Sequence, residues 1–346
     1  MILGKDFSAI NAKIQAMSAK LVDDEDFINI AHKDSLEEII EYLKNNLEIG
    51  EYFTGYENIY EVASVLEKYR EDKLKKLSHY LDSSYREFSE FILEEYESAS
   101  IKRVLRSLQR SEESVISKFN RDLTLQDKTY HIDLDYSIPA FIEKIKDTKY
   151  YHVLKPYEDR SSDVILFYME MNLDRLYYTD LMEASKNFSK HNKKILKEIL
   201  GRKIDLLNII WLYRSYKFYK LLPEERINFC VFAGYEFSYE DLKNLCYTEE
   251  MDKFIEKIKK SSYGFLFEGE NTDLFLNRRA DRYLYYMSKK YMHKNNNDIG
   301  KYLSFVLLLN FQIKDISALM ESIRYNLTFD QTIKYMIRKI EEVRIW

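Results

Sequence analysis

Three times along this chain an acidic residue is followed by an arginine nine positions later. The pairs are Glu97 and Arg106, Asp205 and Arg214, and Asp315 and Arg324. Successive acids are 108 and 110 residues apart, and the fourth residue after each acid is apolar. A pattern that recurs at a nearly constant interval is typical of internally repeated folds. The sequence therefore predicts three related helical segments, at residues 1–110, 111–222 and 223–346.

The spacing within each pair predicts where the charges point. An α-helix turns by about 100° per residue, so residues nine positions apart lie on opposite faces. Asp205 and Arg214 therefore cannot pair with each other, and Asn208 adds a third polar group to the same predicted helix. If these groups are buried, each needs a partner on another element, because an unpaired buried charge is strongly destabilising. Either the charges fix the packing of each segment, which we favour, or the arginines line a shared opening or bind a neighbouring protein.

Turn-forming residues are scarce, since the 346 residues include eight glycines and three prolines. A β-rich fold of this length needs many more turn residues at regular spacing. The sequence therefore predicts an all-α protein, and its hydrophobic content of 46% is enough for substantial cores. Among the predicted helices, one ends near Gly201, the next runs from Gly201 to Pro223, and the last runs from Phe329 to Ile345.

The sequence contains no pattern that indicates chemistry, such as a glycine-rich phosphate loop, a zinc-binding helix or a nucleophile elbow. We interpret His131–Asp135 as a solvated turn rather than a metal site, because no further ligands are suitably spaced. Cys230 and Cys246 match no zinc or disulfide framework, so we interpret them as reduced thiols. We therefore predict no catalytic, cofactor-binding or metal-ligating residue.

The charge and hydropathy patterns exclude further classes. The net charge of −5, with both signs interspersed, is not the basic footprint that nucleic-acid binding requires. The longest uninterrupted apolar run, Phe305–Leu309, is far shorter than the ~20 residues that span a bilayer. The N-terminal residues lack the features of a signal peptide. We predict a soluble protein without a membrane span, which can still sit against a membrane protein.

The stretch from Gly201 to Leu221 resembles the central motif of the C subunit of V/A-type ATP synthases, which is known as the d subunit in the eukaryotic vacuolar enzyme. The matching residues are Lys203, Asp205, Asn208, Ile209, Arg214 and Lys217. Two other stretches, Ala12–Leu21 and Leu173–Tyr178, resemble further motifs of this family in the same order. The chain departs from the family pattern at Lys13 and Gln15, which replace arginines, and at Ala318, where the third segment lacks the asparagine.

This resemblance implies an all-α funnel of three similar helical bundles about a pseudo-threefold axis. It implies a non-catalytic rotor subunit, monomeric when isolated, that joins the central shaft of a soluble motor to a membrane proteolipid ring. Such a subunit is cytoplasmic and lies at the inner face of the plasma membrane, where the complex couples ATP turnover to proton or sodium transport. Two alternatives stay open: a helical-repeat scaffold for unrelated proteins, and an enzyme or nucleic-acid binder whose site the sequence does not reveal.

Overall fold

The computed structural model describes residues 7–110, 122–132, 136–158, 162–294 and 296–340. The chain forms two compact units, and each unit is built from segments that are not contiguous in sequence. The first unit comprises Met1–Leu81, Ser189–Lys203 and Ile258–Trp346, and the second comprises Asp82–Phe188 and Ile204–Lys257. The division into three sequence repeats concerns internal similarity rather than compactness, so it stays a prediction.

Helices make up most of the described chain. In the first unit they are α1 (Ser8–Ser18), α2 (Asp24–Ala31), α3 (Leu36–Asn46), α4 (Ile59–Ser78), the start of α9 (Lys190–Arg214), α13 (Thr272–Met292), α14 (Gly300–Arg324) and α15 (Phe329–Tyr335). In the second unit they are α5 (Ser83–Arg110), α6 (Ile138–Lys144), α7 (Tyr150–Leu154), α8 (Asp163–Ala184), the end of α9, α10 (Pro223–Phe229), α11 (Tyr239–Cys246) and most of α12 (Met251–Lys259). Short 3-10 helices cover Glu48–Tyr52, Lys155–Tyr157 and Gly264–Phe267.

Helix α14 is the core of the first unit and is buried along most of its length. It packs in a hairpin against α13, which brings the Tyr291 ring so close to Gly300 that a Cβ there would lie 2.0 Å from the ring. By length and composition alone, α14 is apolar enough to cross a membrane, with a mean hydropathy of 1.4. However, 78% of that apolar window is buried inside the protein, as in a core helix.

The second unit is organised around α5 and α8, which pack antiparallel and are joined by charged side chains. Lys102 of α5 binds Asp174 of α8. Lys149 binds Glu94 of α5 and also binds Asp180 of α8, with Nζ 2.7 Å from the Asp180 carboxylate. These ion pairs flank an apolar core that includes Ile101 and Met169. Ion pairs between neighbouring helices fix their register, because a shift along either helix would separate every pair.

One hairpin departs from the predicted all-α fold within the described residues. Strands β1 (Asp122–Leu125) and β2 (Lys128–His131) pair antiparallel, with Asp122 opposite His131. The two turn residues, Gln126 and Asp127, both have positive φ, as a type I′ turn requires. The turn lacks the usual asparagine and glycine, which explains why the sequence did not predict it. His131 therefore lies in a strand, and Asp133 to Asp135 lie outside the described residues.

Three predicted helix boundaries were wrong. The helix predicted to reach Pro223 ends earlier, because α9 stops at Arg214 and the π-helical turn after it is closed by the left-handed Lys220. Gly201 does not end a helix, because it is buried inside α9 and the helix continues to Arg214. The last helix was predicted to reach Ile345, but α15 ends at Tyr335. The helix does not continue, because Met336 has an extended backbone and the amides of Ile337 and Arg338 donate to the buried Asp315 carboxylate.

Candidate functional site: the repeated charged positions

Asp205 lies in α9 with its side chain fully buried. Its Oδ2 atom accepts hydrogen bonds from the backbone amides of Tyr235, at 3.0 Å, and Glu236, at 2.7 Å. The adjacent Gly234 is required by this approach, because a Cβ there would lie 1.9 Å from Asp205 Oδ1. The carboxylate therefore ties the helix to a loop about thirty residues further along the chain.

Asn208 makes a second tie one helical turn later. Its Nδ2 atom donates to the carbonyl of Val231 at 2.9 Å, and its Oδ1 atom accepts from the amide of the same residue at 3.0 Å. The fully buried Asn208 side chain thus pairs with both the backbone N–H and the backbone C=O of Val231. Val231 lies outside regular secondary structure, and buried backbone groups there need such a partner. Asp205 and Asn208 together fix the segment that follows α10.

Asp315, at the matching position of α14, makes the same kind of contact. Its carboxylate accepts from the amides of Ile337 at 2.6 Å and Arg338 at 3.4 Å. The Arg338 guanidinium also binds the carboxylate, with Nε 3.1 Å from Oδ2. Burial raises the pKa of Asp315, and these donors act in the opposite direction. A buried carboxylate with three donors, one of which is cationic, is held in place from several sides.

Glu97, the first acid of the series, lies in α5 and is half-buried. Its Oε1 atom accepts from the amide of Gln126 in the β-turn at 2.9 Å. Its Oε2 atom accepts from the hydroxyl of Tyr150 at 2.6 Å. All three repeated acids therefore accept a backbone amide from a segment 22 to 31 residues downstream. This supports the interpretation that the acids fix the packing of each segment.

The three arginines differ from one another. Arg106 makes a two-pronged ion pair with Glu170 of α8, with distances of 2.5 and 2.8 Å, which raises the pKa of Arg106. Arg324 is 44% exposed and lies 3.6 Å from Glu321 of its own helix. Arg214 is half-buried and has no hydrogen bond or ion pair among the described residues, and burial lowers its pKa. The three arginines therefore occupy equivalent positions in the repeated pattern but make different contacts.

The segments around Asp205 and Asp315 are alike in local structure. α9 and α14 both have 25 residues and end on the arginine, and each is followed by a left-handed residue, Lys220 or Asn326, with φ of 49°. Each then leads into a seven-residue helix that ends at an extended residue, Cys230 or Met336. A π-helical turn at Ser215–Tyr219 lengthens the first connection. This likeness supports a repeat for two of the three predicted segments.

Two adjacent Asp-Arg pairs, Asp174-Arg175 and Asp281-Arg282, also make matching contacts. In α8, Asp174 binds Lys102, and Arg175 donates to the carbonyl of Asn228 after the start of α10. In α13, Asp281 binds Lys314 at 2.7 Å. The next residue, Arg282, donates to the carbonyls of Met336 and Ile337 at 2.7 and 2.6 Å. In both cases the aspartate pairs with a lysine of another long helix. The arginine next to it donates to backbone carbonyls in or just after a short helix, α10 or α15.

Sequence reasoning missed the proximity of two thiols. Cys230 and Cys246 are both buried, and their Sγ atoms are 3.7 Å apart. The neighbouring Cys246 thiol and burial raise the pKa of Cys230 well above its ordinary value. Their spacing of sixteen residues gives no sign of this, because the contact depends on how α10 meets α11. Among the described residues no group of three or more His, Cys, Asp or Glu side chains is placed to hold a metal ion.

Comparison with known proteins relates this geometry to a family. Residues 10–335 match the family model described as the ATP synthase (C/AC39) subunit. The chain is 22% identical over 340 residues to the C subunit of the A-type ATP synthase of Methanosphaera stadtmanae, covering 94% of this chain and 86% of the relative. It is 20% identical over 332 residues to the protein of the same name from Methanocaldococcus jannaschii, covering 91% and 82% of the two chains.

Proposed function

This chain belongs to the ATP synthase (C/AC39) subunit family, and we propose that it is the non-catalytic central-stalk subunit of a V/A-type ATPase or ATP synthase. In this role it is the socket that joins the shaft of the soluble motor to the proteolipid ring in the membrane. ATP turnover then drives, or is driven by, proton or sodium transport. The observation that carries the proposal is the family match over residues 10–335.

The local structure supports a role in transmitting force. A coupling element must deform little under load, and segments with buried, fully paired contacts open locally less often than exposed ones. Asp205, Asn208 and Asp315 each tie a long helix to a distant backbone segment through buried hydrogen bonds. We propose that these ties stiffen the helical bundles, which we further propose are arranged as three similar bundles about an axis. The protein would be peripheral at the cytoplasmic face of the membrane.

The test is to delete the gene and measure ATP-driven ion uptake in inverted membrane vesicles. We expect ion uptake to be lost while ATP hydrolysis by the soluble motor persists, because the two halves are uncoupled. Adding back the wild-type chain should restore uptake. Normal coupled uptake in the deletion strain would contradict the proposal.

A second measurement separates the proposal from the alternative, a helical-repeat scaffold for unrelated proteins. The tagged chain is purified from native membranes, and the proteins that accompany it are identified. Recovery of both a proteolipid and a shaft subunit together with this chain supports the coupling role. Adaptor-type partners without either of these proteins support the scaffold.

A further inference from the structure

One face of α13 in the first unit carries apolar, basic and aromatic side chains at four-residue intervals. Leu274, Arg278, Arg282 and Tyr286 follow one another along this face. Residues four apart on a helix lie on the same side. The chain from Lys334 to Lys339 runs beside them, and we call the combined surface the α13 arginine surface. It lies entirely within the first unit.

The guanidinium groups of this surface bind backbone carbonyls and no carboxylate among the described residues. Arg278 donates to the carbonyl of Lys334, and Arg282 donates to those of Met336 and Ile337. The neighbouring Arg279 donates to the carbonyls of Leu266 at 2.8 Å and Glu270 at 2.6 Å. None of the three makes an ion pair within the part of the chain that the structure describes.

No carboxylate of the described residues is therefore paired directly with these guanidinium groups. Asp281, the acid nearest in sequence, is engaged by Lys314. The Arg278 Nε atom is buried without a hydrogen-bond partner in the described ranges, although its guanidinium stacks on the Phe275 ring at 4.1 Å. Burial, together with the charges of Arg282 and Arg279, lowers the pKa of Arg278 to about 10. Guanidinium groups that repel one another and have no ion-pair partner in the described part of the chain favour the binding of an anion.

Exposed apolar side chains border these charges. Leu274 is 55% exposed, Tyr286 is 44% exposed and Tyr335 is 43% exposed. The Tyr335 ring contacts Phe275, with centroids 5.8 Å apart. Arginine and tyrosine are residue types enriched at the centres of protein–protein interfaces, and the exposed Leu274 adds apolar area beside them. The surface thus combines positive charge, which attracts an acidic partner, with exposed apolar side chains, which are suited to contact with a protein.

We propose that the α13 arginine surface docks a carboxylate-bearing segment of a neighbouring protein subunit. Guanidinium groups bind carboxylates through paired hydrogen bonds, which add geometric specificity to charge attraction. The proposal rests on the proposed function, because the rotary complex supplies the partner. It goes beyond that function by assigning one surface and the chemistry of the segment that binds there.

The test uses two substitutions of opposite charge at Leu274, whose exposure makes both compatible with folding. Membranes that lack this chain are incubated with increasing amounts of wild-type, Leu274→Asp or Leu274→Arg protein, and the bound fraction is measured. We expect Leu274→Asp to weaken binding at least about tenfold through like-charge repulsion. Leu274→Arg should bind as well as wild type or better. Lys76→Ala, which removes one positive charge from an exposed site on α4, is the control and should not change binding.

Each other result overturns the proposal. Equal binding by both variants shows that the surface is not used, and equal weakening shows an apolar contact without a charge preference. Weakening by Leu274→Arg alone shows a basic partner. If the isolated wild-type chain binds phosphatidylglycerol vesicles and Leu274→Asp abolishes that binding, the surface recognises lipid. If the wild-type chain itself fails to rebind to the membranes, the proposed function is contradicted as well. If only the predicted effect of the Leu274 variants is missing, the docking surface is wrong and the proposed function stands.

Discussion

Asp315 and Arg338 form an ion pair whose two side chains are only 1% and 5% exposed. The same guanidinium donates to the carbonyl of Val22 at 3.2 Å and stacks on the Phe27 ring at 3.6 Å. Arg338 therefore joins the C-terminal segment of the first unit to α14 and to the chain around α2. A pair of charges withdrawn from water depends on both partners, because removing one leaves the other buried and uncompensated.

Replacing Arg338 should destabilise the first unit strongly. We expect Arg338→Met to lower the free energy of unfolding by about 3–5 kcal/mol, since Asp315 would lose its cationic partner. Chemical denaturation followed by circular dichroism measures the change. The adjacent Lys339 is exposed, so Lys339→Met is the control and should change stability by less than about 0.5 kcal/mol. A loss below about 1 kcal/mol for Arg338→Met would show that the ion pair contributes little.

Gly234 tests the tie made by Asp205. Gly234→Ala places a methyl group 1.9 Å from Asp205 Oδ1, so the carboxylate or the loop must move. We expect a cost of about 1–3 kcal/mol in the free energy of unfolding. The same substitution should cost much less in an Asp205→Ala background, where the obstructing oxygens are gone. A double-mutant cycle measures this difference, and equal costs in both backgrounds would refute a direct clash.

Arg214 decides between the two interpretations of the repeated arginines. Because it is half-buried without an ion pair among the described residues, Arg214→Met should leave the free energy of unfolding unchanged within about 1 kcal/mol. Arg106→Met should cost more, because it strands Glu170 of the two-pronged pair. If stable Arg214→Met protein rebinds to membranes normally, Arg214 does not contact a partner. Weakened rebinding would favour the partner-binding interpretation.

Glu57 should titrate at unusually low pH. Burial opposes its ionisation, but the Thr54 amide at 2.6 Å, the Thr54 hydroxyl at 2.8 Å and the Gly55 amide at 3.0 Å together outweigh burial and lower the pKa of Glu57 to about 2. A lowered pKa means that this stabilisation is complete above the unfolded value of 4.5 and is lost as pH falls towards 2. NMR titration of the carboxyl carbon measures the pKa. A midpoint near 4.5 would contradict the bonded geometry.

The two buried thiols should react slowly. Alkylation requires the thiolate, and both burial and the raised pKa of Cys230 suppress it. We expect native protein to react with iodoacetamide at least about a hundredfold more slowly than the same protein in guanidinium chloride. Mass spectrometry of timed samples measures both rates. Rapid modification of Cys230 in the native protein would contradict its burial.

The helices were largely predictable because their signals are local. Ser35 caps α3 through the Glu38 amide at 3.2 Å, and the periodic apolar positions Ile101, Ile209 and Leu319 are all buried. The prediction that Asp205 cannot pair with Arg214 is confirmed, since its carboxylate binds backbone amides instead. Gly201 was wrongly predicted to end a helix, because its buried neighbours continue the apolar pattern of α9.

The contacts of the polar positions were not predictable. Asp205 and Asp315 both accept hydrogen bonds from backbone amides, which every residue except proline carries, so no residue type marks these donors. Arg338 and Gly234 escaped notice for a related reason: their roles depend on which distant helix they meet. The arginines of α13 likewise look like ordinary helix residues until the chain around Lys334 lies beside them.

The carboxylate ties described above also bear on how the chain opens to solvent. Each tie closes a loop of 22 to 31 residues, so the short helix inside the loop cannot swing away while the carboxylate keeps its donors. The amides of Glu236 and Ile337 should therefore exchange their hydrogens for deuterium together with the interiors of α9 and α14. The short helices α10 and α15 would then unfold together with the long helices α9 and α14 and not independently of them.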